Sequence, residues 1–140
     1  MKLRHGAALP CLLMVALFAR AASADVVAVV SSKSKVNSLT KDQVADIFFG
    51  KVSHFPNGEG AVPIDLAEDL PERVEFYEKV ANKSSAQVRA HWAKIIFTGR
   101  GRPPKSVSSD LEMKKRLTEN PEAIGYINAK WVDASVRVLF

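Results

Sequence analysis

Apolar positions along this chain follow two different periods. In DVVAVVSS the apolar residues are contiguous and mostly β-branched, which predicts a buried strand over Val26 to Val30. VPIDL, AIGYI and VRVLF read as further short strands. Elsewhere the spacing widens to that of a helix. In LTKDQVADIFFG, Val44, Ile47 and Phe48 share one face, Thr40 and Gln43 form a capping box, Leu39 can staple beneath it, and Gly50 ends the run. A second helix is predicted in AEDLPERVEFYEKVANKS, with Pro71 in its first turn, where the missing N–H costs nothing. SSAQVRAHWAKIIFTG gives a third, capped by Ser84 with Gln87. Its buried stripe is expected to be Val88, Trp92, Ile95 and Ile96, set against a sheet. SSDLEMKKRLTEN gives a fourth, capped by Ser108 or Ser109 and blocked at Pro121. RGRPPKSV reads as a rigid basic loop. Strands and helices that mix in this way predict one α/β domain with a small, partly parallel sheet flanked by helices.

The N-terminus departs from both patterns. Lys2 and Arg4 precede a short apolar run, which ends near Ala22-Ser23-Ala24. Such an order is that of a cleaved export signal, so residues 1–24 are expected to be removed and 25–140 to form the domain. The run is short for a membrane span, which needs about 20 apolar residues. Cys11, the only cysteine, stands at the start of this run rather than at its end, where a lipid-modified cysteine belongs. Without it the domain has no disulfide and no thiol nucleophile, a composition that suits a bacterial periplasm.

Charge changes the picture once the signal is set aside. Losing Lys2, Arg4 and Arg20 lowers the 20 basic residues to 17, against 15 acidic ones, so the formal +5 falls to +2. That balance gives no support to a nucleic-acid partner. The charges are nonetheless segregated. Seven acidic residues lie from Glu59 to Glu78 with only Arg73 among them, whereas six basic ones lie from Arg100 to Arg116 against Asp110 and Glu112. A local field can matter where net charge does not.

Catalytic and metal chemistry find little in the sequence. His54 and His91 stand far apart with no cysteine, so no zinc spacing exists and no metal ligand is assigned. No serine has a marked base, and Asp65, Glu68, Asp69 and Glu72 read as a solvated acidic face. A hydrolase using those carboxylates is the weakest reading, and no catalytic residue or cofactor is assigned. Anion binding is better served. Helix N-termini offer free N–H groups, serines add hydroxyls, and Lys or Arg adds charge. SSKSK, with Ser31 and Ser32, is one such place. GRGRPPKSVSSDLE, with Arg100, Arg102 and Lys105 ahead of Ser108 and Ser109, is the other.

SLTKDQVADIFFGKVSHFPNG, FYEKV, the W and IFTGRGRPP pair, and AIGYI together resemble the substrate-binding proteins of phosphate ABC transport, in the periplasmic-binding-protein-like superfamily. The resemblance runs from Val26 to Phe140. It implies a periplasmic lobe, inorganic phosphate or another small oxyanion as ligand, and an ABC permease or another periplasmic protein as partner. The two-lobed relatives carry Arg-x-Asp-x-Ser-Gly-Thr ahead of a helical Phe. Aligned on Phe76, those positions hold Leu66, Glu68, Leu70, Pro71 and Glu72. Leu70 has no side-chain donor and Pro71 no N–H. Glu68, Asp69 and Glu72 are expected to repel a dianion there, and Arg73, just beyond, is a candidate for partial replacement of the lost cation. The alternative is a ligand-free interaction module that keeps the fold.

Overall fold

The computed structural model describes residues 25–140 and, ahead of them, Gly6 alone. The expected export signal therefore lies outside the described residues. In chain order the elements are β1 (Val26–Ser31), α1 (Lys41–Phe48), β2 (Val62–Leu66), α2 (Pro71–Ala81), α3 (Ser85–Phe97), β3 (Lys105–Val107), α4 (Asp110–Glu119), β4 (Ala123–Asn128) and β5 (Val136–Val138). A single 3-10 turn, Ala129–Trp131, separates the last two strands.

The five strands form one mixed sheet in the order β3-β2-β4-β1-β5. β2 pairs parallel with both β3 and β4, while β1 runs antiparallel to β4 and to β5. β3 is the strand that RGRPPKSV conceals. Its three residues follow two prolines and carry no apolar alternation, so pairing with Ile64, Asp65 and Leu66 makes it a strand.

Helices cover both faces. On one, α4 buries Met113 and Leu117. Gly125 of β4 lets it approach closely, because a Cβ there would come within 2.4 Å of the Met113 sulfur. On the other, Phe48 of α1 and Phe76 of α2 meet Tyr126 of β4, and the Phe76 and Tyr126 rings stack with centroids 3.8 Å apart. Tyr126 and Gly125 thus point to opposite faces, as alternation along a strand requires.

The helix ends follow the sequence closely. Thr40 and Gln43 cap α1 reciprocally, with bonds of 3.2 and 2.9 Å. Ser84 and Gln87 do the same for α3. Leu39 and Val44 are buried in the positions of a hydrophobic staple. Gly50, at φ 73°, takes the left-handed conformation that stops α1.

The expected stripe on α3 needs correction. Val88 and Trp92 are buried and Ile95 packs against the core, but Ile96 is 55% exposed and the adjoining Phe97 is 92% exposed. The helix meets α2, and its Trp92 lines a groove with Val62 and Ile64 of β2. Ile96 stands one turn beyond Trp92, near the end of the helix, where the burial of that face runs out. The Trp92 ring closes over Gly50, where an added Cβ would stand 3.0 Å from its edge. Trp92→Ala is expected to lower stability by about 3–5 kcal/mol, the range for deleting a packed aromatic side chain. Urea unfolding measures it, and a loss under about 1 kcal/mol would show that the ring contributes little packing.

Candidate functional site

Alternation along β2 directs Asp65 inward, although it belongs to a stretch that reads as a solvated acidic face. Asp65 is buried, and this is a correction to that reading. Its carboxylate accepts a hydrogen bond of 2.6 Å from the Tyr77 hydroxyl of α2 and another from the Tyr126 hydroxyl of β4. The Leu66 N–H donates to it at 2.9 Å and also to the Tyr126 oxygen at 3.1 Å. Burial, and then the Asp65 charge, push both tyrosines far above their ordinary pKa. Each therefore stays a neutral donor. Burial without partners would be costly for a carboxylate, and these bonds offset that cost.

Arg73 completes the cluster. It sits in the first turns of α2, is only 9% exposed, and places Nε 3.4 Å from Asp65. Its guanidinium also lies over the Tyr77 ring, 5.0 Å from the centroid. Those contacts leave donors free. Among the described residues, Arg73 Nη1 is buried with no hydrogen-bond partner, and so is Trp92 Nε1. Both residues line a small cavity of about 150 Å³, together with Ser106, Pro103, Pro104, Leu66, Asp65 and Glu68. Of its two acids, Asp65 is held by the tyrosines, and Glu68 is paired with Arg89 at 2.5 Å. Unmatched donors around a cavity of that size can take an oxyanion.

The seryl candidates lie elsewhere. Ser108 and Ser109 head α4, as expected, but α4 supplies its own anion. Glu112 accepts from the Ser108 N–H at 3.0 Å and from its hydroxyl at 2.8 Å, while Ser109 Oγ accepts from the Glu112 N–H. These bonds with Ser108 hold Glu112 below the usual carboxylate range. Asp110, beside them, moves the other way: burial, then the charge of Glu72, raise its pKa. This end of the lobe thus gathers carboxylates from two helix N-termini. Arg100 and Arg102 are exposed. Arg102 and Lys105 line a groove along β2 and β3 that adjoins the Arg73 cavity.

Ser31 and Ser32 lie at the opposite pole. β1 is antiparallel to β4, so its Ser31 end lies beside the start of β4, whereas Asp110 meets Asn128 at the end of β4. Ser31 is buried and its hydroxyl accepts from the Lys33 N–H. Arg137 of β5 pins the loop by donating to the carbonyls of Ser32, Ser34 and Val36. The fold therefore brings Arg73 and Ser106 together and keeps the two serine clusters apart. Sequence reasoning missed Ser106, Trp92 as a donor, and Arg137. None has a local signal, because their partners are distant in sequence. Of the histidines, His54 is exposed and His91 Nε2 contacts the Phe49 carbonyl at 2.8 Å. Among the described residues, no group of three or more His, Cys, Asp or Glu could hold a metal ion.

With its mixed sheet and flanking helices, the chain has the fold of one lobe of a periplasmic-binding-protein-like receptor. Solved structures that share it include proteins described as receptors of phosphate transport. One, from Clostridium perfringens, is described as a putative phosphate ABC transporter substrate-binding protein with bound phosphate; it superposes with a TM-score of 0.66 at 21% identity. An ABC-type phosphate transport receptor from Vibrio cholerae gives 0.64 at 19%, and PstS from Borrelia burgdorferi 0.62 at 14%. Each match covers 82% of this chain but only 44%, 45% and 46% of the respective solved chains. The chain thus spans less than half the length of these structures. No protein-family model matches it, and no curated protein does. Among the described residues, no helix is long and apolar enough to cross a membrane.

Proposed function

We propose that this chain is a solute-binding lobe that takes up a small oxyanion, phosphate or a close analogue, in the periplasm, as an accessory to ABC-type phosphate transport. One observation carries the reading: Arg73, nine-tenths buried and with donors uncommitted, lines a cavity in a lobe whose solved counterparts include a phosphate-bound one. A single lobe encloses its ligand on one side only. Binding is accordingly weak and salt-sensitive, with a Kd on the order of micromolar to millimolar. Export after Ala24 belongs to the same reading, and protein from a periplasmic fraction should begin at Asp25 by intact mass.

Phosphate titration followed by amide and indole N–H shifts tests the site. Shifts centred on Arg73, Ser106 and the Trp92 indole are the expected result, smaller at moderate salt than at low salt. Shifts centred on Ser108 to Leu111 would move the anion to the head of α4 and require Glu112 to release Ser108. A second reading, the ligand-free interaction module, is favoured by Glu112 already holding the two donors of Ser108 and by the exposed Leu111, Trp131 and Val132. An unchanged spectrum at roughly 10 mM phosphate, well above the expected Kd range, would put that reading first.

A further inference from the structure

Along the β3 edge of the sheet runs a groove of about 560 Å³. Its walls are apolar: Ile47, Val52, Val62, Ile64 and the Trp92 ring. Val52 and Val62 are more than two-fifths exposed, which leaves large apolar side chains open to water on the groove. Ile47 and Trp92 belong to helices on one face of the sheet and Arg116 to α4 on the other, so the groove wraps around β3. The volume lies within the roughly 300–1,000 Å³ range of small-molecule sites.

Its charges have one sign. Arg102, Lys105 and Arg116 line the groove and no acidic side chain does so among the described residues. Arg116 has a distant partner in Glu112 at 4.0 Å, while Arg102 and Lys105 form no ion pair among the described residues. At its inner end the groove adjoins the Arg73 cavity, since Trp92, Pro103, Pro104 and Ser106 line both. An apolar channel with a cationic rim, closed by a buried guanidinium, complements an anion that carries an apolar body. Inorganic phosphate would leave those walls in water.

We propose that the lobe binds an organic oxyanion, a phosphonate or phosphate monoester with an aryl or alkyl group, with its head at Arg73 and Ser106 and its apolar group along Val62, Ile64 and Trp92. This rests on the oxyanion reading above and narrows its ligand class. The free phosphonate and the ester share the tetrahedral dianionic head, and a matched pair such as phenylphosphonate and phenyl phosphate tells them apart.

Calorimetric titration of the 25–140 chain with phenylphosphonate, phenyl phosphate and inorganic phosphate tests it. The aryl ligands should bind at least tenfold more tightly than inorganic phosphate. Val62→Glu should abolish that preference and leave inorganic phosphate within about twofold, because it places an acid in the groove and none at Arg73. Val52→Glu, in an exposed loop on the same wall, provides the same contrast should the strand variant fold poorly. Equal affinity for aryl and inorganic ligands, or a preference that survives both variants, overturns the groove assignment and leaves the oxyanion reading standing. Absence of binding by all three ligands overturns both.

Discussion

Asp65→Ala should destabilise the domain by about 3–5 kcal/mol, the cost of removing one partner from a buried ion pair. The substitution removes the acceptor for the hydroxyls of Tyr77 and Tyr126 and for the Leu66 N–H. It also leaves Arg73 buried beside no counter-charge. Each unmatched donor adds its own desolvation penalty. A double-mutant cycle separates the terms. Arg73→Met alone strands the carboxylate, but the tyrosines still hold it, so its cost should be smaller. Together with Asp65→Ala, it should cost less than the sum of the two, because the stranded charge disappears. Chemical unfolding at neutral pH measures all three variants. A loss below about 1 kcal/mol for Asp65→Ala would mean that water replaces the network at little cost. The same cycle bears on function, since Arg73→Met also removes the proposed ligand cation.

Above pH 10 the native state should lose stability steeply. Tyr77 and Tyr126 are the chain's two tyrosines, and burial first, then the charge of Asp65, raise the pKa of both. In the unfolded chain they ionise near pH 10. A group whose folded pKa lies above its unfolded value contributes stability that is fully present below the unfolded pKa and is lost as pH rises toward the folded one. Each tyrosine should therefore remove about 1.4 kcal/mol per pH unit above 10, and the pair about twice that. The optical consequence is specific. Phenolate absorbance should stay absent while the fold persists and then rise in one cooperative step, coincident with the loss of near-ultraviolet dichroism. Tyr77→Phe with Tyr126→Phe should flatten the alkaline limb while lowering stability at neutral pH. Gradual phenolate formation near pH 10 with intact dichroism would show that at least one hydroxyl is accessible.

Asp133 behaves in the opposite sense. Its bonds from Lys114 and then Ser135 lower its pKa to about 2. Its contribution is present above the unfolded value and is lost as pH falls toward 2. The group is exposed, so the acid limb should be far shallower than the alkaline one.

The sequence by itself determined the local pieces. Capping boxes at Thr40 and Ser84, Pro71 in the first turn of α2, Gly50 past α1 and the β-branched run of β1 all act within about four residues of chain, so they read directly. Their order also carried the resemblance to phosphate receptors, and the fold agrees with it. Only the tertiary structure decided which of those pieces became a site. Asp65 looks like one acid among several until Tyr126, 61 residues away, donates to it. β3 is a strand only because β2 offers an edge. Ile96 has the spacing of a core residue, yet nothing buries it near the end of α3. Ser108 and Ser109 have the chemistry of an anion site, but Glu112 takes both donors of Ser108 and Ser109 accepts from the Glu112 N–H, while Ser31 and Ser32 lie at the far pole of the sheet. Periodicity tells which side of an element is apolar; burial, charge pairing and the meeting of donors depend on what packs against that side, and that is set by contacts between residues far apart in the chain.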